Sequence, residues 1–186
     1  LYKFPMGSAD IAPIVGKVGT GVEQNEVFTV FTQGALKGTD NPFDLALEGK
    51  GFFAVDTPYG ERYTRNGAFT LVKEGMLLTK EGFPVLGDEG PMHIKENNFI
   101  IDQKGRIFKN DKFPDDPQRL ISMIENEWDE TELIDTIKLV DFKRDRYLRK
   151  QGNSLWKDTT ESGTAQILKD TALKVRQGFI EGSNVN

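Results

Sequence analysis

The one stretch with the spacing of a cofactor motif is Gly49-Lys50-Gly51-Phe52-Phe53-Ala54, a G-x-G-x-x-A run of the kind that seats a dinucleotide pyrophosphate. That chemistry needs a strand before the glycines and a helix after them, because the helix N-terminus supplies the N–H groups and the dipole that hold phosphate. Here the residues that follow are Phe-Phe-Ala-Val-Asp-Thr and then Pro58, a β-rich run closed by a helix breaker. The motif therefore reads as a tight reversal between strands, and no cofactor is expected. A Walker-type G-x-x-x-x-G-K-[ST] run is absent.

Other candidate chemistry is thinner. His93 is the single histidine, set between Met92 and Ile94, which excludes His-His metal sites and reads as a structural or edge position with no evident nucleophile beside it. The absence of cysteine removes disulfides, thiolate nucleophiles and cysteine-ligated zinc. It suits a reducing compartment and an exported chain equally. Glu125, Glu127, Asp129, Glu130, Glu132 and Asp135 form an acidic run without the spacing of a calcium loop, so a solvated face is the expectation. No carboxylate pair is singled out for glycoside hydrolysis. Phe52, Phe53, Tyr63, Phe69, Trp128, Phe142, Tyr147 and Trp156 could form a platform for sugars or bases, yet most stand at strand spacing where core packing accounts for them. No catalytic or metal-binding residue is assigned.

A chain of 186 residues suits one domain with appendages and buries roughly 70% of its unfolded surface. Its net charge of -5 is mixed along the chain, which argues against nucleic acid as a partner. The basic cluster Lys143, Arg144, Arg146, Arg149 and Lys150 is offset by the acidic run before it, so it too reads as solvated. Apolar runs are only a few residues long, and no membrane-spanning helix is expected.

The elements that position these residues read mainly as β. Residues 1–25, rich in Pro and Gly without periodicity, suggest an extended arm. Residues 26–36 read as a first strand ended by Gly34, and 41–55, NPFDLALEGKGFFAV, as a strand, a reversal at Gly49 and Gly51, and a second strand, together a hairpin at the root of the domain. A meander follows: 61–71 with a bulge or corner at Gly67, 76–79, 83–86, then 98–102 and 105–108 around Gln103-Lys104. The pattern breaks at 114–128, where Leu120, Ile121, Ile124 and Trp128 share a helical face after an Asp116 cap and Pro117. Strand alternation returns over 136–142, and Leu173 and Val175 share one side of a last strand. The predicted fold is a mainly β, barrel- or sandwich-like domain of short antiparallel strands with one inserted helix and extended arms at both ends. Its parts are a 1–36 arm and first strand, a 37–176 core with a 114–135 helical insertion, and a 177–186 segment that begins a truncated C-terminal assembly element. Leu1 in place of Met and the abrupt stop at Asn186 suggest the trimmed core of a longer protein.

Four stretches, NPFDLALEGKGFFAV at 41–55, RYTRNGAFTL at 62–71, GFPVLGDEGPMHI at 82–94 and QGFIEGSNVN at 177–186, resemble the axial proteins of the bacterial flagellar rod and hook. The motif residues that carry the resemblance are Asn41, Pro42, Asp44, Leu45, Gly49, Gly51, Phe52, Phe53, Tyr63, Arg65, Asn66, Gly67, Phe69, Gly178, Gly182 and Asn184. The 82–94 stretch, TIKLVDF and EGSNVN are most similar to proximal-rod members, with the distal rod as the close rival, while the 114–135 segment departs from the family pattern.

The resemblance implies a structural subunit with no cofactor, metal or small-molecule substrate. It would be passed unfolded through the flagellar export apparatus and packed helically with its own copies and neighbouring rod subunits in the periplasm. It implies terminal helices lying outside this chain, and a monomer without them. Phe52, Phe53, Tyr63 and Phe69 are expected in the core, and the 1–25 arm and 177–186 tail against neighbours. The alternatives are a distal-rod or hook paralogue and, from another class, a β-type carbohydrate-binding or hydrolytic module, which would keep its aromatic faces open to solvent.

Overall fold

A computed structural model describes residues 2–3, 5–6, 28–72, 74–94, 99–109, 132–169 and 172–183. Its centre is the strand Phe52–Thr57, whose alternate side chains face opposite ways, as the pleat of a strand requires. Phe53 and Val55 enter one apolar cluster with Phe69, Leu77, Val85 and Ile107. Phe52 and Ala54 enter a second with Tyr63, Val140, Phe142 and Leu148. A strand covered on both faces can be apolar without interruption, which is why Phe-Phe-Ala-Val shows no alternation of apolar and polar residues.

Phe52–Thr57 lies inside a six-stranded sheet. From one edge the order is Arg149–Lys150, Trp156–Lys157, Gly60–Thr64, Phe52–Thr57, Leu139–Asp141 and Gln166–Ile167, with every neighbouring pair antiparallel. Its two edge strands are two residues long and do not pair with each other, so the sheet is open and the predicted barrel closure does not occur. Closure needs long strands with a consistent stagger; here the edges are short, and Arg149 and Lys150 are exposed, which blunts further pairing.

The predicted hairpin over 41–55 is also corrected. Leu45–Glu48 pairs with Lys174–Gln177, whereas Phe52–Thr57 pairs with Gly60–Thr64 and Leu139–Asp141. The glycines carry the chain from one sheet to the other: Gly49 has φ +119° and Gly51 φ +154°, and a Cβ on Gly51 would come within 2.6 Å of Leu173 Cδ2. Leu45, Ala46 and Leu47 are all fully buried, so this strand needs cover on both faces, and the C-terminal part of the chain supplies its ladder partner.

Three further expectations change. The 61–71 strand is interrupted: Gly60–Thr64 ends at a corner, and Thr70–Leu71 starts a separate pair with Leu77–Leu78. Gly67 makes that corner, because Leu45 N donates to Gly67 O (2.9 Å) and any Cβ on Gly67 would fall on the Leu45 carbonyl. Within the expected 26–36 strand, residues 28–35 form no ladder. Ring contacts of Phe31 with Phe52 and Trp156 hold this strap instead, and strand pairing begins only at Leu36–Gly38, against Phe179–Glu181.

The helical insertion is not borne out. Its described end, Glu132–Thr136, is a strand on Arg106–Lys109, which in turn pairs with Phe99–Ile101 around Gly105. The 114–128 helix itself, with Trp128, lies outside the described residues. Among the described residues there is no α-helix, only a 3-10 turn at Asp145–Tyr147.

Candidate functional site: the seam where the two ends of the chain meet

The 174–181 stretch runs antiparallel first to Leu45–Glu48 and then to Leu36–Gly38, with Gly178 opposite the loop that joins those two strands. Gly178, at φ +81°, donates its N–H to Asp44 O (2.8 Å), and its carbonyl accepts from Thr39 N (2.8 Å). One residue thus pinches the Thr39–Asp44 loop shut. Inside the loop Asn41 Oδ1 accepts from Phe43 N (3.0 Å), the side-chain turn that Asn favours, and Pro42 O accepts from Gln177 Nε2 (3.0 Å). Gln177 is buried and uses its other amide atom too, accepting from Ile101 N at 2.9 Å.

Beyond that loop the two ends close on each other. Gly182 N donates to Ala35 O (2.7 Å), and a Cβ on Gly34 would collide with the Gly182 carbonyl. Glu181 holds the junction: its Oε2 accepts from Gly34 N (2.8 Å), Gln33 Nε2 (2.7 Å) and Arg65 Nη2 (2.9 Å), and its Oε1 from Arg65 Nε (3.1 Å). Arg65 stands at the Gly67 corner, fixed there by side-chain turns in which Asn66 N donates to Thr64 Oγ1 and Ala68 N to Asn66 Oδ1. Its guanidinium also donates to the carbonyls of Leu47 (3.1 Å), Gly49 (2.7 Å) and Gly51 (2.9 Å). The planar fork of Arg suits this double duty, with one edge on a carboxylate and the rest on backbone. With 18% and 10% of their side chains exposed, Arg65 and Glu181 are withdrawn from bulk water but fully hydrogen-bonded.

A cleft of about 570 Å³ opens over this network, between the strap Thr29–Gln33, Gly49–Gly51, Trp156 and Glu181–Ser183, with the exposed Lys50–Asp145 ion pair (3.3 Å) on its rim. Its charged groups are satisfied by one another, Lys50 with Asp145 and Arg65 with Glu181.

The structure brings together the predicted residues Asn41, Pro42, Asp44, Gly178 and Gly182 along this seam, with Gly49, Gly51, Arg65, Asn66 and Gly67 behind it. Leu45, Phe52, Phe53, Tyr63 and Phe69 lie in the core, each no more than 5% exposed. Asn184 lies outside the described residues. Sequence reasoning passed over Gln33, Glu181 and Gln177, polar residues without motif spacing whose partners are 16 to 148 residues away. For Gln177 and Glu181 the one signal was position within the resembling 177–186 stretch; Gln33 had none.

Titratable groups elsewhere serve structure. Tyr63 donates to Glu61 Oε2 (3.0 Å), which Lys138 pairs at Oε1 (2.8 Å). Burial, and then the Glu61 charge, push the Tyr63 hydroxyl well above the usual tyrosine value. Asp135 is pushed above the usual carboxylate range by burial in the first place, with the Thr136 and Asp88 amides opposing and the charges of Asp88 and Glu89 adding. His93 is exposed and bridges Met76 at an edge. The residues after the G-x-G-x-x-A glycines form a strand, and of the aromatics Phe52, Phe53, Tyr63, Phe69 and Phe142 are buried, Tyr147 and Trp156 are half-buried, and Trp128 lies outside the described residues.

A family model described as the flagellar hook protein FlgE/F/G D1 domain matches residues 46–111, a span that includes the Gly49–Gly51 crossing, Arg65 and Gly67. The flagellar basal-body rod protein FlgG of Bacillus subtilis (strain 168) is 31% identical over 193 residues, covering 97% of this chain and 67% of that protein. FlgG of Buchnera aphidicola subsp. Acyrthosiphon pisum is 32% identical, covering 91% of this chain and 61% of its own length. The basal-body rod protein FlgF of Caulobacter vibrioides is likewise 32% identical, at 94% and 61%. The chain thus spans about three fifths to two thirds of the length of these relatives. A match of this extent, over nearly the whole chain, shows that the chain belongs to the flagellar basal-body rod protein family.

Proposed function

We propose that this chain is a structural axial subunit of the bacterial flagellar rod, packed helically with its own copies and neighbouring rod subunits into the torque-transmitting shaft that spans the periplasm. The observation that carries the reading is the seam: an all-β core returns both ends of the described chain to one place, Gly34 beside Gly182, antiparallel and hydrogen-bonded. Such a core can present N- and C-terminal segments as a pair for contacts with other subunits, while its own packing stays complete. Asn41, Gly178 and Gly182 serve assembly in this reading by setting the exit geometry, and Leu45, Phe52, Phe53, Tyr63 and Phe69 serve it by keeping the core stiff. Residues 37–176 form the core domain; the 1–25 arm and the 177–186 tail, whose Phe179–Glu181 strand is docked on Leu36–Gly38, reach neighbours. The subunit passes through the flagellar export apparatus and stays monomeric until its terminal segments are engaged.

Within the family we place it at the proximal rod, as a FlgF-type subunit, on the 82–94 stretch and on TIKLVDF and EGSNVN. The distal rod is the second reading, because FlgG relatives match at the same level of identity as FlgF. A cryo-electron map of basal bodies from the source bacterium tests both. Density that accepts this fold in the proximal rod supports the first, density in the distal rod supports the second, and absence from the whole axial structure overturns the rod reading. Sedimentation of the full-length protein against residues 1–186 tests the monomer: a trimmed form that assembles as readily as the full chain defeats the role given to the terminal segments.

A further inference from the structure

We infer that Arg65 is a latch that holds both ends of the domain through one shared carboxylate, so that the N-terminal strap and the C-terminal strand dock and release together and not one at a time. The inference stands on geometry alone and holds at whichever axial position the subunit sits.

Glu181 belongs to the C-terminal strand, yet its Oε2 accepts from Gln33 and Gly34 of the strap as well as from Arg65. Each end loses bonds if the other leaves. Withdrawal of the strap strips Glu181 of two donors, and withdrawal of the strand takes from Gly34 N and the Gln33 amide their bonds to Glu181. Arg65 joins this pair to the core, because its remaining N–H groups sit on the carbonyls of Leu47, Gly49 and Gly51, which cross between the sheets. The strap has no ladder of its own over residues 28–35, and side-chain bonds of Gln33 and Glu181 with ring contacts of Phe28 and Phe31 are among the contacts that hold it. Lys at position 65 would keep the charge but lose the fork, a point charge being unable to span a carboxylate edge and three carbonyls at once. Gly34 supplies a steric handle: its missing side chain admits the Gly182 carbonyl, so a methyl there pushes the ends apart, pressing also on Glu181 Cγ, without removing a charge.

Native-state hydrogen exchange on residues 1–186 tests the latch, comparing Arg65→Lys, Glu181→Gln and Gly34→Ala with the parent chain. The amides of Gly34, Gly182 and the Leu36–Gly38/Phe179–Glu181 ladder are followed, with the Phe52–Thr57/Gly60–Thr64 ladder as the internal reference for the core. The expected result is that each variant speeds exchange at both ends in parallel, on the order of ten- to a hundredfold for the loss of charged hydrogen bonds. The core ladder keeps its rates. Acceleration at one end only would show that the ends are held separately, and no change would show that Arg65 is not a latch. An equal rise in the core would make it a general structural residue. Each of these three overturns the inference.

Discussion

The central sheet and the seam are held by different physics. Around Phe52–Thr57 the chain is sealed by apolar side chains on both faces, and Phe53 meets Phe69 edge-on at a centroid distance of 5.1 Å. At the seam the cohesion is polar and convergent, with one carboxylate and one guanidinium joining the strap, the strand crossing and the C-terminal strand. Burial of apolar surface is non-directional and tolerates small shifts, whereas a fork of hydrogen bonds is satisfied in one geometry. The core therefore sets whether the domain folds, and the seam sets where its ends point.

That contrast is broken most sharply from the core side. Phe53→Ala, at a fully buried position, is expected to cost about 3–5 kcal/mol of global stability, read as a lowered midpoint in urea with an unchanged slope. An effect under about 1 kcal/mol would mean the two clusters are less closely packed than described. Gly67→Ala places a methyl on the Leu45 carbonyl and is expected to cost up to about 3 kcal/mol, because a backbone neighbour cannot swing aside as a side chain can. It acts where core and seam meet, so both the midpoint and the exchange rates at the ends should move.

Arg65→Ala sharpens the comparison from the other side, at about 2 kcal/mol expressed in local opening of the ends more than in global unfolding. A global loss as large as that of Phe53→Ala would erase the distinction. Smaller still is Asp135→Asn. The Asp135 carboxyl is raised in the folded state, so between its ordinary value and the raised one the folded chain holds more protons than the unfolded chain. Its contribution to stability therefore falls as pH rises through that window and is level outside it. Asn at 135 should flatten the slope in urea midpoints measured across acid pH, and an unaltered slope would show that other groups carry it. Least of all, Lys50→Ala removes an ion pair whose lysine is mostly exposed and is expected to change stability by less than about 0.5 kcal/mol.

Much of the core was legible because its signals are local. Phe52 to Val55 announce a strand buried on both faces, Gln103-Lys104 mark the turn between Phe99–Ile101 and Arg106–Lys109, and Gly67 marks a corner. The errors share one cause. Leu45–Glu48, Gly49 to Gly51 and Phe52–Thr57 look like a hairpin because adjacent strands commonly pair, yet Leu45–Glu48 takes a partner that begins at Lys174. Residues 28–35 carry the β-branched and aromatic content of a strand but meet no free edge, so they lie as a strap. Glu132–Thr136 stood at the end of a helical reading and became a third strand because Arg106–Lys109 offered it a ladder.

From the sequence by itself came the residue types that must be buried, the glycines that must turn, and a family resemblance in four separated stretches. These depend on neighbours a few positions away, where spacing and side-chain type carry the information. Tertiary structure alone decided which strands pair, that the six-stranded sheet stays open, and that Glu181 and Gln33, 148 residues apart, share a hydrogen bond at 2.7 Å. Those outcomes rest on which distant edge or donor is left unsatisfied once the core has closed, and local spacing holds no record of that.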